Sequence, residues 1–384
     1  MKLLIVGGNG LIGGSIARAS ADAGYEVSIV GTKVHDHDDA NYTYYAGNWS
    51  DDSFALKVVS CCDYDVIVDC LIFDEYQMRR SAYICNGHCK HFIYISTDSV
   101  YEHPNRMLSE QQIINDKKVH WNYGINKRQA ELYLSDHSEN YSFNWTVIRP
   151  TITFGNTRIP VGFAGKRNTY NLCQRILDNK PVIRFDDPET KHSICHVSVF
   201  GAAVRELYLN EDSYGRYFHI SDDISYTYGE VFASLEQILG KRGNYVYMPA
   251  DALSKVDRGL YEDMIYDKNP EFTLDNSAIK RLCKSVSFHV DLTDVLKETV
   301  NHLALQKQSN DDNYDLLTDY LLVKYNGTIS NAECVPLVRD YLSSMSDDYR
   351  KTVLKYRVPA SRLSLYRRIR ILLGRFKRKM KGLY

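Results

Sequence analysis

The chain has 384 residues, enough for two or more domains with a sizeable core. Its 44% hydrophobic and 25% charged content, with 9 prolines and 22 glycines, excludes a disordered, collagenous or fibrous polymer. Lys and Arg (47) nearly cancel Asp and Glu (48), which leaves no bulk nucleic-acid footprint, although the stretch from Arg357 onward holds ten basic residues and no acidic one.

Only four apolar residues, Leu3 to Val6, precede a glycine cluster, too few for a signal-peptide core or a membrane span. Nine cysteines, an odd number spread from Cys61 to Cys334, fit reduced thiols better than a disulfide framework. Both features predict a cytoplasmic protein. Residues 1–150 alternate apolar strands (2–6, 26–30, 42–45, 65–71, 91–96, 144–149) with helical stretches (12–23, 121–134). Near-continuous apolar strands alternating with helices predict an α/β fold, a doubly wound parallel sheet covered on both faces. From Pro150 the rhythm loosens: helices at 170–179, 199–209 and 227–239 mix with short strands at 181–185 and 216–220, which predicts a smaller α/β lobe over 151–305 that, with some later segments, forms one catalytic unit with the NAD(P)-binding domain of residues 1–150. A polar run at 306–313 has linker composition and leads to a separate helical extension over 306–384. In it Leu316, Leu317, Tyr320 and Leu321, then Val338, Tyr341, Leu342 and Met345, recur at helical spacing.

Three motifs carry chemistry. The first, Gly7-Gly8-Asn9-Gly10-Leu11-Ile12-Gly13, follows a strand and opens a helix. Backbone amides of Gly7, Gly10, Leu11, Ile12 and Gly13 and the positive helix end are then placed to hold a dinucleotide pyrophosphate, in a Rossmann-like arrangement. Strand two ends Val30-Gly31-Thr32-Lys33, without the acid that bonds adenosine ribose hydroxyls. Thr32 and Lys33 suit a 2′-phosphate, which favours NADP over NAD. The second motif, Tyr123-Gly124-Ile125-Asn126-Lys127, puts Tyr123 and Lys127 on one helix face. The ammonium is expected to lower the phenol pKa and make it a general acid/base. The third, from Ser96 to Tyr101, lies at the carboxyl edge of strand five and offers Thr97 to orient a reacting oxygen.

With Val147-Ile148-Arg149-Pro150 running to Phe154-Gly155, these motifs resemble the extended short-chain dehydrogenase/reductase family, the nucleotide-sugar epimerases and dehydratases, over about residues 1–300. The resemblance implies Tyr123 as acid/base, Lys127 on the nicotinamide ribose, Thr97 on the substrate, and a nucleotide-sugar in the lobe after Pro150. Asn48 stands where the family has an aspartate near the adenine, and Asp69-Cys70-Leu71 replaces a small, alanine-rich strand end. Thr97-Asp98-Ser99 replaces the Thr-Asp-Glu of the 4,6-dehydratases, which disfavours dehydration. Epimerisation and ketone reduction stay open, with a non-catalytic dinucleotide sensor or scaffold as the alternative.

Cys85, His88, Cys89 and His91 fall close together but cannot obviously close a four-ligand zinc geometry, so no metal is expected. Between Leu365 and Met380 an apolar stripe runs through a basic helix, and the stretch from Ser361 to Lys381 is expected to lie on an anionic membrane surface. Nucleic acid is not expected as a partner, and a homodimer is compatible with the sequence.

Overall fold

The computed structural model describes residues 1–32, 42–102, 107–111, 120–165, 169–306 and 312–357. The first part runs β1 (Lys2–Val6), α1 (Leu11–Asp22), β2 (Glu26–Gly31), β3 (Tyr42–Ala46), α2 (Asp52–Val59), β4 (Tyr64–Asp69), α3 (Glu75–Cys85), β5 (Cys89–Ile95), α4 (Asn122–Asp136) and β6 (Asn144–Pro150). Alternation within a strand splits its side chains between two faces. Leu3 and Ile5 of β1 enter one core layer with Ile16 of α1, whereas Leu4 and Val6 enter the other with Val58 of α2, Met78 of α3 and Leu134 of α4. That is why the strands read as unbroken apolar runs. Asp51 and Asp74 start α2 and α3 by accepting the amides of Phe54 and Gln77.

The chain continues through β7 (Ile152–Phe154), α5 (Tyr170–Leu177), β8 (Pro181–Arg184), β9 (Lys191–His196), α6 (Val197–Glu206) and β10 (Arg216–Ile220). Next come β11 (Ser225–Thr227), α7 (Tyr228–Leu239), β12 (Asn244–Tyr247), α8 (Asp251–Ser254), α9 (Arg258–Asp263) and a π-helical turn, Met264–Lys268. The last elements are α10 (Ser277–Leu282), α11 (Leu292–Leu305), α12 (Asp312–Tyr325), α13 (Val335–Ser344) and α14 (Asp347–Leu354). The central sheet has seven strands in the order β10-β6-β5-β4-β1-β2-β3, all parallel. The strand order reverses between β1 and β4, which opens the crevice where such sheets hold ligands. Two small sheets, β11-β9-β7 and β12-β8, belong to the lobe.

Segments after residue 150 share the sheet and core of the first part. Strand β10 pairs with β6 as the seventh strand of the main sheet, and Phe200 and Val204 of α6 join the layer that holds Ile16. The helices α12 to α14 depart from the expected separate extension. Leu317, Leu321, Leu322, Val338 and Leu342 bury in one cluster with Phe163, Ile183, Val246, Leu260 and Met264. The helical spacing was correct, but its apolar face packs on the lobe. The basic stretch 361–381 lies outside the described residues. Among those described, no helix is long and apolar enough to cross a membrane.

Candidate active site

The glycine turn is built so that backbone stands where side chains would collide. Gly7 has φ +83°, a conformation that favours glycine, and its amide donates to Val30 O at 3.0 Å. A Cβ on Gly13 would stand 2.4 Å from Gly7 O and 2.9 Å from Gly8 Cα, so α1 reaches the turn only with glycine there. Gly10 caps α1 without a side-chain hydrogen bond and no acid occupies the first helical turn. The first amides of α1 have no intrahelical acceptor and, with the positive helix end, suit an anion.

This turn forms one end of a cavity of about 880 Å³ between the carboxyl edge of the sheet and the lobe. Gly7, Gly10, Leu11, Ile12 and Gly13 line it, together with Thr97, Tyr123 and Lys127. Thr32 and Asn48 are outside that lining, and the Asn48 side chain accepts the Ser50 amide at 3.0 Å in its own turn. Lys33 lies outside the described residues. Asp69, at the end of β4, is buried and accepts hydrogen bonds from Ser81 Oγ (2.5 Å), Leu71 N (2.8 Å) and Trp49 Nε1 (3.2 Å). It latches the sheet edge to α3.

Thr97 stands beside Tyr123 in the cavity lining, and its Oγ1 accepts the Ser99 amide at 3.2 Å and lies 3.0 Å from Ser99 Oγ. The phenol pKa is pushed up to about 12: burial is the main cause, the nearby Thr97 hydroxyl opposes it, and the Asp267, Asp98 and Asp263 carboxylates add to it. This departs from the expected lowering by Lys127. The Lys127 ammonium is buried and donates to Ile72 O and Ile95 O, both at 2.7 Å, beneath the rings of Tyr94 (4.7 Å) and Phe73 (5.3 Å). Burial brings its own pKa down to about 7. Desolvation and nearby carboxylates therefore outweigh the helix spacing.

The motifs assigned no role to two groups of the site. Asp98 is buried in the cavity wall, and burial, reinforced by Asp267, raises its pKa to about 7 against the opposing Lys268. Asp263, Asp267 and Lys268 reach the same wall from more than a hundred residues downstream of Tyr123. Glu131 continues the face of Tyr123 and Lys127 at the next four-residue step and is fully buried. Its carboxylate accepts Ser96 Oγ (2.6 Å) and the fork of Arg149, Nε at 2.9 Å and Nη2 at 2.7 Å. Arg149 also donates to Tyr101 OH (2.5 Å), which bonds His219 Nε2 at 2.8 Å. This buried chain ties α4 to the carboxyl ends of β5, β6 and β10. The four-residue spacing from Lys127 was the signal that could have found Glu131. His91 is engaged elsewhere: Nε2 with Thr146 Oγ1 (2.8 Å), and Nδ1 with Leu209 N (3.3 Å).

Residues 3–213 match the NAD dependent epimerase/dehydratase family. None of the curated proteins searched matches the sequence. Among solved structures, the fold is similar to that of UDP-glucuronic acid 4-epimerase from Bacillus cereus in complex with UDP-glucuronic acid and NAD, at TM-score 0.63 and 16% identity, over 79% of this chain and 99% of that one. It is also similar to UDP-glucose 4-epimerase with UDP-glucose from Thermotoga maritima, at TM-score 0.63 and 20% identity, over 79% and 99%. The family match spans more than half of the chain and includes the glycine turn, Thr97, Tyr123 and Lys127; the protein is a member of the NAD dependent epimerase/dehydratase family of enzymes.

Proposed function

We propose that the protein transfers hydride between a nicotinamide dinucleotide and a ring carbon of a nucleotide-activated sugar, with epimerisation as the net reaction and Tyr123 as acid/base. The observation that carries this reading is that Thr97, Tyr123 and Lys127 line one cavity together with the glycine turn. Similar folds that bind UDP-sugars and NAD support the substrate and cofactor classes.

The glycine turn fits a dinucleotide because a pyrophosphate needs bare amides and close backbone approach. The first helical amides, from Leu11 to Gly13, would hold it, with Gly7 and Gly10 giving the turn and the close backbone approach, and a bound nicotinamide would supply or accept the hydride. Tyr123 gives a proton to the sugar oxygen in the reducing direction and its phenolate takes one in the oxidising direction. With the pKa pushed up to about 12, the proton-donating form prevails at neutral pH in the bare chain. Thr97 steadies the same oxygen by a hydrogen bond. Lys127, held by two carbonyls, presents its ammonium at the floor of the cavity, where it would bond the nicotinamide ribose.

Strand β2 ends at Gly31 with Thr32 next, in place of the acidic residue at the strand end that bonds the ribose hydroxyls, which supports NADP as the cofactor. It also motivates the second reading, net reduction of a keto-sugar. Mass spectrometry of small molecules retained by the purified protein, followed by assay with UDP-, GDP-, CDP- and dTDP-sugars, tests the proposal. Interconversion without net change in the dinucleotide indicates an epimerase; consumption of NADPH indicates a reductase. Neither outcome with any sugar of the panel, in a protein that binds dinucleotide, would overturn the reading.

A further inference from the structure

The similar epimerase structures leave about a fifth of this chain without a counterpart. The C-terminal helices are not idle in the fold, because their buried face meets the back of the wall that closes the cavity on the lobe side. In residues 258–268, Leu260 and Met264 stand one helical step apart and enter the apolar cluster of Tyr314, Leu317 and Leu321 from α12. Glu262, Asp263, Asp267 and Lys268 of the same segment line the cavity. The Tyr314 ring lies 5.1 Å from that of Phe163, and the neighbouring Gly162 packs so closely on the π-turn that a Cβ there would be 3.2 Å from Met264 Cε.

A second tie fixes where α12 sits. Arg175 of α5 is buried and donates to Asp319 (2.8 Å) and Asp315 (3.0 Å) of α12, with Nε on Pro181 O at 2.9 Å. Asp319 also accepts Tyr341 OH of α13 (3.0 Å) and Tyr349 OH of α14 (2.7 Å). One carboxylate thus gathers three C-terminal helices on one arginine of the lobe. Removing a partner from a buried charge is costly, so this tie resists sliding of α12.

We propose that α12 to α14 are positioning elements of the nucleotide-sugar site: they hold the 258–268 segment against the cavity and so set where Asp263 and Asp267 stand relative to Tyr123. The inference rests on the nucleotide-sugar reading for its ligand but on packing alone for its mechanical part. Asp267 and Asp263 are close enough to Tyr123 for their charges to act on its phenol, so displacement of this segment is felt where the sugar reacts. A packed core passes such displacement on because it has little free volume.

The test uses the full chain with Leu317→Ala, which opens a hole in the apolar cluster that α12 shares with Leu260 and Met264, and Leu317→Met, which refills most of it. Amide hydrogen exchange and calorimetric binding of NADP, NAD and UDP-glucose are measured well below each melting temperature. Leu317→Ala is expected to speed exchange at 258–268, to weaken UDP-glucose binding at least fivefold, and to leave dinucleotide binding within twofold. Leu317→Met should restore both changed quantities. A merely stabilising role would lower the melting temperature without this split. Unchanged exchange at 258–268 in the folded variant overturns the proposal, as does faster exchange with UDP-glucose affinity within twofold of the wild type. If Leu317→Ala does not fold, Asp319→Asn is subjected to the same measurements, and the same two outcomes overturn the proposal. Should the wild type bind no nucleotide-sugar, the functional reading fails by itself, and the exchange data alone decide whether α12 positions the segment.

Discussion

Two buried arginines hold the two walls of the cavity, and they differ in how far along the chain their partners lie. Arg149 meets Glu131 eighteen residues away, inside the same strand and helix unit. Arg175 meets Asp319 at a separation of 144 residues, across the lobe. The first pair orders Tyr123, Lys127 and Thr97, whose motifs are local. The second orders a wall assembled from segments that no motif connects. Buried ion pairs contribute little net stability compared with apolar packing but cost much when one partner is lost, so both serve better as geometry than as glue. The contrast teaches that the dinucleotide side of this protein is set by short-range pattern and the sugar side by long-range docking.

Breaking each clamp tests this contrast most strongly. Glu131→Ala leaves Arg149 buried without its carboxylate and is expected to cost about 3–5 kcal/mol in denaturant unfolding. Asp319→Ala should cost less, because Asp315 stays at 3.0 Å from Arg175. Equal losses would mean that the two clamps are equivalent. Next in size, Tyr123→Phe removes the transferable proton and is expected to lower turnover by ~10²-fold or more, about 2.7 kcal/mol, with dinucleotide affinity within twofold. Retained turnover would remove Tyr123 from the chemistry.

Gly13→Val asks whether the dinucleotide side is backbone-built, since its Cβ would meet Gly7 O at 2.4 Å. We expect overpacking of about 1–3 kcal/mol and weaker dinucleotide binding by calorimetry. Unchanged affinity would show that the turn does not hold the ligand. A pH-dependent effect concerns Asp98. Its folded pKa of about 7 lies above the ordinary carboxyl value of 3.8, so the fold favours the protonated acid. The associated stability is present below pH 4 and lost as pH rises through 7. Asp98→Asn removes that dependence, so the variant's melting temperature relative to the wild type should climb from pH 4 to pH 8. A difference that stays flat or falls would place Asp98 in a more polar setting than its burial indicates.

Much of the fold was legible in the sequence because strand and helix periodicity are local properties. β1, α1, β2, α4, β6 and α7 emerge close to their expected positions, and the glycine turn, Thr97, Tyr123 and Lys127 meet in one cavity as the motifs required. The spacing of Leu317 and Leu321, or of Val338 and Leu342, likewise showed helices with an apolar face. What covers an apolar face is a different matter, since nothing in a helix's own residues names its partner. Only the tertiary structure seated α12 on the lobe, put β10 beside β6, and brought Asp263 and Asp267 toward Tyr123. The ionisation of the site was also decided there. Helix spacing placed Lys127 one turn from Tyr123, but burial of both groups and the Asp267, Asp98 and Asp263 carboxylates around the phenol decide the proton affinities, because desolvation depends on everything packed around a group rather than on its neighbours in the chain.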